Sequence, residues 1–325
     1  MKAWIDGQFV PQDEAKVPIL SHSFSRGSAI FEVMEVVVDK GEAPDTGGSG
    51  TGSRRALFRL DAHVERFFRS AALLHMPLPL GKGELVKAVK ETVRENAAAA
   101  GGVKFYGYYA APDLGLIPQE PCAHVAVFCF DLSEALGGSG PPTPGAPGQA
   151  GGQPGRPATA GISTVRKLSP EAAAIQAKAA GYYVNAFLAR REAVEKGYDD
   201  AIMIDRTGHV AEGPLSNVFF VSDGTLKTPR LRNALAGITR DSVIEVVRGM
   251  GLALEEADIT PEQAISAEEA FYTGTIIRVK PIRSIEGKSL GASCPGPITR
   301  KVQAAVDAAH EGRDPRYRHW LTHVA

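Results

Sequence analysis

The stretch from Leu136 to Ala160 reads LGGSGPPTPGAPGQAGGQPGRPATA. Glycine and proline dominate it and no large apolar side chain follows Leu136, so it has nothing to bury and cannot join a core. A chain of 325 residues divided there has to build one core on each side. The expected organisation is an N-terminal domain over residues 1–132, a linker over 133–160 and a C-terminal domain over 161–325. A second stretch of the same kind, Gly41 to Arg55 (GEAPDTGGSGTGSRR), falls inside the first domain and reads as a long hairpin loop. The chain is 44% hydrophobic, which leaves enough apolar material for both cores.

The pattern on either side of the linker differs. Before it, Asp6-Gly7 sits between alternating residues as a two-residue hairpin turn. Ile30 to Val38 (IFEVMEVVV) reads as a buried strand with Ala56 to Leu60 as its return partner. Asp61 is placed to cap a helix carrying Val64, Phe67, Phe68, Ala71 and Leu74, which ends before Pro77. A second helix is expected from about Glu84 to Ala100, then strands at Val103 to Ala110 and His124 to Phe130. After the linker the order becomes α/β: a strand near Ile162 to Arg166, a helix from about Tyr182 to Lys196, and strands at Ala201 to Ile204 and Val218 to Val221. Asp223-Gly224 turns a hairpin, a helix runs from Ile238 to Gly249, and Thr260-Pro261-Glu262-Gln263 spells a capping box with proline at the first helical position. Phe271, Ile276 and Val279 are assigned to strands, and Ile298 to His310 to a last helix.

Composition narrows the function. Thirty-six basic and 37 acidic residues leave a net charge of −1, which argues against nucleic acid or a membrane surface held by bulk charge. Three cysteines cannot make a disulfide scaffold and offer no CxxC metal pair. No apolar run reaches the roughly 18 residues of a membrane span, and the charged start MKAWIDGQFVPQDE is not a signal peptide, so a cytoplasmic protein is expected. GGSGTG has the spelling of a phosphate loop but lacks the following Lys-Ser/Thr, and it reads as plain loop. His22 and His63 read as hydrogen-bonded structural residues, and no metal is expected.

One lysine stands out. Lys178 lies in PEAAAIQAKAAGYYV, where a surface lysine would normally have charged company. A lysine in apolar surroundings loses proton affinity and becomes a nucleophile for carbonyl compounds, although a snorkelling lysine has the same local sequence. Downstream come DDAIMID, RTGH, VAEGPLSNVFFV, LAGITRDSVIEVV and TGT.

In that combined order the sequence resembles the class IV pyridoxal-phosphate aminotransferases, the family of branched-chain and D-amino-acid aminotransferases and aminodeoxychorismate lyase. The resemblance covers nearly the whole chain outside the two Gly/Pro-rich stretches. WIDGQFVPQDEAKVPILSHSFSRGSAIFE, GPITRKVQAA and the terminal Trp320-Leu321-x-x-Val324 bring it closest to the branched-chain group. It implies fold type IV, with an α+β N-terminal domain, an α/β C-terminal domain, a D-amino-acid aminotransferase-like architecture and a homodimer. It also implies that Lys178 binds pyridoxal 5′-phosphate covalently and moves the substrate proton, and that Glu212 faces the pyridine nitrogen. Tyr183, with Tyr182 as its neighbour in register, would bond the phenolic oxygen. Arg66 of HVERF, Ile238, Thr239 and Thr275 would hold the phosphate.

The sequence departs from the branched-chain pattern in a few places. Ser216 of EGPLSN stands where that group carries glutamate, and D-amino-acid enzymes also place serine there. Arg26 replaces a pocket tyrosine, and Gly102-Val103-Lys104 replaces Y-x-R. Arg26 and Lys104 therefore offer positive charge to a substrate α-carboxylate, or else are solvated surface residues. Phe31, Tyr106 and Tyr108 would line the side-chain pocket or simply pack, with Ile276 on the substrate side. The expected reaction is transfer of an amino group from an amino acid, branched-chain L- as the first expectation, to a 2-oxo acid such as 2-oxoglutarate. A D-amino-acid aminotransferase or a lyase of the aminodeoxychorismate type are the alternatives.

Overall fold

The computed structural model describes residues 1–41, 54–96, 101–132 and 156–324. Most of the Gly41–Arg55 loop and of the 133–160 linker lies outside these described residues. The chain forms two compact units: Met1–Leu132 with Ala177–Gly181 and Asp307–Ala325, and Ser133–Gln176 with Tyr182–Val306.

The first unit is a seven-stranded antiparallel sheet with helices packed on it. β1 (Lys2–Ile5) and β2 (Gln8–Pro11) form the expected hairpin, with Asp6 and Gly7 both at positive φ, the geometry its right-handed twist requires. α1 (His22–Arg26) is followed by β3 (Ile30–Asp39), β4 (Arg54–Phe58), α2 (Leu60–Leu73), α3 (Lys82–Glu95), β5 (Gly102–Tyr108) and β6 (His124–Phe130). The sheet order is β16-β4-β3-β5-β6-β1-β2, in which β16 (Leu321–His323) comes from the end of the chain and pairs with β4. β3 alternates, with Ile30, Glu32 and Met34 fully buried and Phe31 and Val33 half-buried. Its buried face packs with Leu60, Val64 and Phe67 of α2, Leu85 and Val89 of α3, and Phe105 of β5.

α2 does not start where its sequence suggests. Arg59, not Asp61, is the cap residue, and it is held in the left-handed conformation without a side-chain cap. Its backbone N–H donates to Trp320 O at 2.7 Å and its guanidinium lies 4.9 Å from the Trp320 ring. The terminal segment thus fixes the helix start, and Asp61 falls in the first turn, where its charge suits the helix dipole. α3 likewise begins two residues before Glu84, because the Glu84 carboxylate reaches back to accept from the Gly81 N–H at 2.7 Å.

The second unit is a mixed nine-stranded sheet. Its members are β7 (Ala158–Ile162), β8 (Asp200–Ile204), β9 (Val210–Glu212), β10 (Asn217–Ser222), β11 (Thr225–Pro229), β12 (Leu254–Ala257), β13 (Glu269–Gly274), β14 (Arg278–Ile285) and β15 (Lys288–Ser289). Their order is β12-β11-β10-β13-β14-β7-β8-β9, with β15 on β14. β7 lies four residues earlier than expected, in the tail of the Gly/Pro-rich stretch, because it pairs in parallel with both β14 and β8. α4 (Tyr183–Glu195) packs small residues, Ala189 and Ala193, against Ala201 and Met203 of β8. α5 (Ile238–Gly249) runs over the expected residues, and α6 (Pro261–Ile265) has the Thr260/Gln263 capping box with Pro261 at its first position. Ile276 is not in a strand: Gly274 pairs with Arg278 to close the β13–β14 hairpin, which leaves 275–277 as its turn. α7 (Pro297–His310) leads back to the first unit. Among the described residues no helix is long and apolar enough to cross a membrane.

Candidate active site

In the first unit the chemistry gathers around a buried carboxylate. Glu32 points with Ile30 and Met34 into the core and is 0% exposed. An isolated charge there would be prohibitive, so its counter-charges must come with it. α2 supplies them one turn apart. Arg66 donates to both Glu32 oxygens, Nε to Oε1 at 2.6 Å and Nη2 to Oε2 at 2.7 Å, and His63 Nδ1 donates to Oε2 at 2.8 Å. Burial alone would push the Glu32 carboxyl up, but the Arg66 guanidinium and then His63 hold it down at about 2. Burial pushes the His63 imidazole below its ordinary value against the pull of Glu32, and the charges of Arg66 and Lys178 push the same way.

This ion pair fixes the helix that carries Lys178's support. Ser70, one turn after Arg66, donates to Arg66 O at 2.9 Å and accepts from the Lys178 N–H at 3.0 Å. The 177–181 segment then lies antiparallel to the start of β3. Phe31 N donates to Lys178 O at 3.0 Å, Ala180 N to Ala29 O at 2.7 Å and Gly181 N to Gly27 O at 2.9 Å. A side chain on Gly27 would stand 2.9 Å from Gly181 Cα, and its φ of +68° is itself a glycine conformation. Lys178 Nζ sits 4.8 Å from the Phe31 ring centre, and Lys104 Nζ is 4.8 Å from the same ring and from that of Tyr106. Cross-strand pairing of Phe31 with Tyr106 and Val33 with Lys104 puts these side chains on the half-buried face of β3 and β5, and Tyr108 continues it. Lys178, Phe31, Lys104 and Tyr106 are thus brought together. Arg26 is not: it is exposed and donates to Leu114 O at 3.1 Å and Ser25 O at 3.4 Å.

The second unit holds a buried carboxylate that is also met by a cation. Glu212, at the end of β9, is 5% exposed. Lys167 Nζ lies 2.5 Å from its Oε1, while Oε2 accepts from Asn217 Nδ2 and from the Leu235 N–H, both at 3.2 Å. Burial would lower the Lys167 ammonium, but Glu212, by charge and hydrogen bond, and then Tyr183 raise it above its ordinary value. The loop before α5 is tied at both edges. Gln176 donates to Ala234 O at 2.7 Å and accepts from Ala236 N at 3.1 Å, and Asn217 Nδ2 donates to Leu235 O at 3.1 Å. A Cβ on Gly237 would collide with Asn217 Oδ1. Only glycine therefore fits as the cap residue, and α5 begins with no side chain on its first N–H groups. Ile238 and Thr239 form that first turn and are buried, and Thr275 and Ile276 lie in the β13–β14 turn. The Oγ atoms of Ser216 and Thr273 are buried without a hydrogen-bond partner among the described residues.

The sequence points to Lys178, Glu212 and Arg66 but not to the side chains that fix them: Glu32, Ser70, Lys167, Asn217 and Gln176. Only Asn217 carries a signal, as the asparagine of EGPLSN.

The sequence profile of the family described as Amino-transferase class IV matches residues 30–285. The chain belongs to that family. Its sequence is 32% identical over 321 residues to the branched-chain-amino-acid aminotransferase of Pseudomonas aeruginosa, covering 99% of this chain and 96% of that one. Its fold is similar to the crystal structure of a branched-chain aminotransferase from Thermoproteus uzoniensis with norvaline, at a TM-score of 0.85 and 33% identity over 100% of this chain and 99% of that chain. It is also similar to the branched-chain amino acid aminotransferase from Thermobaculum terrenum in its PLP (holo) form, at a TM-score of 0.85 and 28% identity over 100% of this chain and 98% of that chain.

As a class IV aminotransferase of fold type IV, the chain moves an amino group from an amino acid to a 2-oxo acid with pyridoxal phosphate. The residues present fit that cofactor. Its phosphate suits an α5 N-terminus whose first N–H groups no side chain occupies, beside a glycine that cannot carry a Cβ. Its ring nitrogen suits a buried carboxylate paired with a cation, and its aldehyde suits a lysine beside an aromatic ring.

Proposed function

We propose that this aminotransferase takes the amino group from branched-chain L-amino acids and passes it to 2-oxoglutarate, acting as a homodimer in the cytoplasm. The observation that carries the reading is likeness to branched-chain aminotransferases over 99–100% of the chain at 32–33% identity. The bound cofactor supplies an electron sink for the substrate's Cα electrons. Lys178 holds the cofactor covalently and moves the proton at Cα. Glu212 keeps the ring nitrogen protonated, and Tyr183 donates to the phenolic oxygen. The Ile238 and Thr239 N–H groups, Thr275 and Arg66 hold the phosphate. Phe31 and Tyr106 form an apolar wall for the side chain, Lys104 beside both rings meets the α-carboxylate, and Ile276 also takes part in substrate binding. Exposed apolar side chains at Phe24, Leu114, Leu116 and Ile117, 69–83% exposed, give a second copy of the chain something to cover.

A second reading, a D-amino-acid aminotransferase, is favoured by one observation: Ser216 replaces the glutamate of the branched-chain pattern and its hydroxyl is unpartnered among the described residues. A half-reaction panel separates the two. The holoenzyme is mixed with L-leucine, L-isoleucine, L-valine and their D-isomers, and the cofactor absorbance is followed. Fast conversion by the L-isomers supports the first reading, and faster conversion by the D-isomers replaces it with the second.

A further inference from the structure

Lys167 has no role in the reading above, yet its surroundings are organised around one. Its backbone N–H donates to Ile204 O at 2.9 Å at the end of β8, and β8 pairs with β9 through Met203 and Glu212. The cation and the carboxylate therefore stand on adjoining backbone, and little of the Lys167 side chain is left free to wander, since it is 15% exposed. Among the described residues the groups on the Glu212 carboxylate are donors: the ammonium on Oε1, and the Asn217 amide and Leu235 N–H on Oε2. An ammonium and two N–H donors are the partners a carboxylate takes, and the geometry of the site is built around its acceptor positions. A carboxylate offers about four acceptor positions, and three are filled, which leaves room for one further N–H.

We propose that Lys167 is a positioning residue for amino-group transfer, holding the Glu212 carboxylate ionised and turned so that its remaining acceptor position meets the protonated ring nitrogen of the cofactor. This rests on the reading of Glu212 as the group that faces that nitrogen. Stability does not call for the pair, because a buried ion pair is commonly replaced by apolar residues without loss. Tyr183 is near enough to Lys167 for the two to interact electrostatically, so the same cation is also felt where the phenolic oxygen is to be held. The ammonium binds Oε1 as a single point, unlike the Arg66 fork that takes both oxygens of Glu32.

The test uses the holoenzymes of Lys167→Met, Lys167→Gln and Lys167→Arg. Borohydride reduction with peptide mapping locates the cofactor, near-ultraviolet circular dichroism reports its setting, and half-reactions report rate against amino-acid concentration. We expect the cofactor on Lys178 in all three, an altered dichroism band in the Met and Gln variants, and a half-reaction about ten- to a hundredfold slower in both with an unchanged half-saturating concentration. Lys167→Gln keeps a polar side chain of similar length and gives the reading if the Met variant does not fold. Lys167→Arg keeps the charge and recovers most of the rate; equal slowing in the Arg and Met variants overturns the role of charge. Reconstitution with a cofactor analogue bearing carbon in place of the ring nitrogen abolishes the difference between wild type and Lys167→Met, and a difference that persists overturns action through that nitrogen. Glu212→Gln separates the two failures. If it is slow while Lys167→Met runs at full speed, only the Lys167 proposal falls; if it runs at full speed, the reading of Glu212 falls and the proposal with it.

Discussion

Glu32 in the first unit and Glu212 in the second are both buried against a cation, and the two arrangements are built differently. Glu32 is met by the Arg66 fork and by His63, three donors spread over both oxygens, and sits at 0% exposure in the sheet-and-helix core. Glu212 is met by a lysine on one oxygen and by two longer contacts on the other, at the end of a three-residue strand. A planar fork locks both partners in one geometry, whereas an ammonium fixes charge at a point and leaves the carboxylate's other directions to its neighbours. The first arrangement supports the backbone that holds Lys178. The second, on the proposed function, presents a carboxylate to the ring nitrogen of the cofactor. A buried carboxylate therefore does not announce its role, and the number and shape of its donors distinguish the two.

The largest effect is expected at the residue the first arrangement supports. Lys178→Ala should leave a folded protein that still binds pyridoxal phosphate noncovalently, with transamination reduced by more than about a thousandfold, toward the upper range for a missing proton-transfer group. Borohydride reduction of the wild type followed by peptide mapping should label Lys178, and a label on any other lysine would remove the central assignment.

Glu32→Gln attacks the support directly. It leaves Arg66 buried without its counter-charge, for which about 3–5 kcal/mol of stability is the expected loss. The pH dependence gives an independent check. The Glu32 carboxyl stands at about 2 in the folded protein against an ordinary 4.5, so its contribution is present in full above 4.5 and is lost as pH falls toward about 2. Melting curves across that window should fall for the wild type and show a smaller slope for Glu32→Gln. Equal slopes would mean that Glu32 is not ionised in the core.

How far the sequence reveals these arrangements depends on the span over which each is made. Lys178, Glu212 and the Gly-Ile-Thr start of α5 belong to short ordered motifs, and the β1–β2 hairpin, α5 and the Thr260 capping box each follow from neighbours within a few residues. Glu32 and Arg66 are 34 residues apart, and Lys167 and Glu212 are brought together only when β8 and β9 pair. In the sequence Glu32 is one polar residue in a strand, and Lys167 follows another cation in VRKLSP, so nothing local separates either from a surface charge. The helix start at Arg59 is illegible for the same reason, since Trp320 decides it from the far end of the chain.

Glu212→Gln tests the second arrangement with a smaller expected effect than either change above. It keeps the side chain's shape and removes its charge, and Lys167, unlike the always-charged Arg66, can release its proton when its partner is neutral. The fold should therefore hold while the half-reaction slows by about ten- to a hundredfold, the worth of one charge-assisted hydrogen bond of roughly 1.5–3 kcal/mol. Melting temperature measured beside the half-reaction rate sharpens the contrast: Glu32→Gln should move the first far more, and Glu212→Gln the second. A Glu212→Gln variant that loses stability as Glu32→Gln does would put both carboxylates in the supporting role.

The smallest effects concern the two cations offered to the substrate carboxylate, and here the structure separates residues that the sequence grouped. Lys104 shares a half-buried face with Phe31 and Tyr106, within 4.8 Å of both ring centres. Arg26 is exposed and already donates to the carbonyls of Leu114 and Ser25. Lys104→Met should therefore lower kcat/KM about tenfold, the lower end of the cost of one charge-assisted contact because water screens a half-buried site, with most of the change in KM. Arg26→Leu should change it less than about twofold, as ordinary surface positions do. The double variant should then match Lys104→Met alone. A large loss in Arg26→Leu, with a double variant short of the sum of the singles, would mean that both cations touch one carboxylate. In that case the arginine must leave its two carbonyl partners when substrate arrives, and the rate should depend on how readily the Leu114 loop releases it.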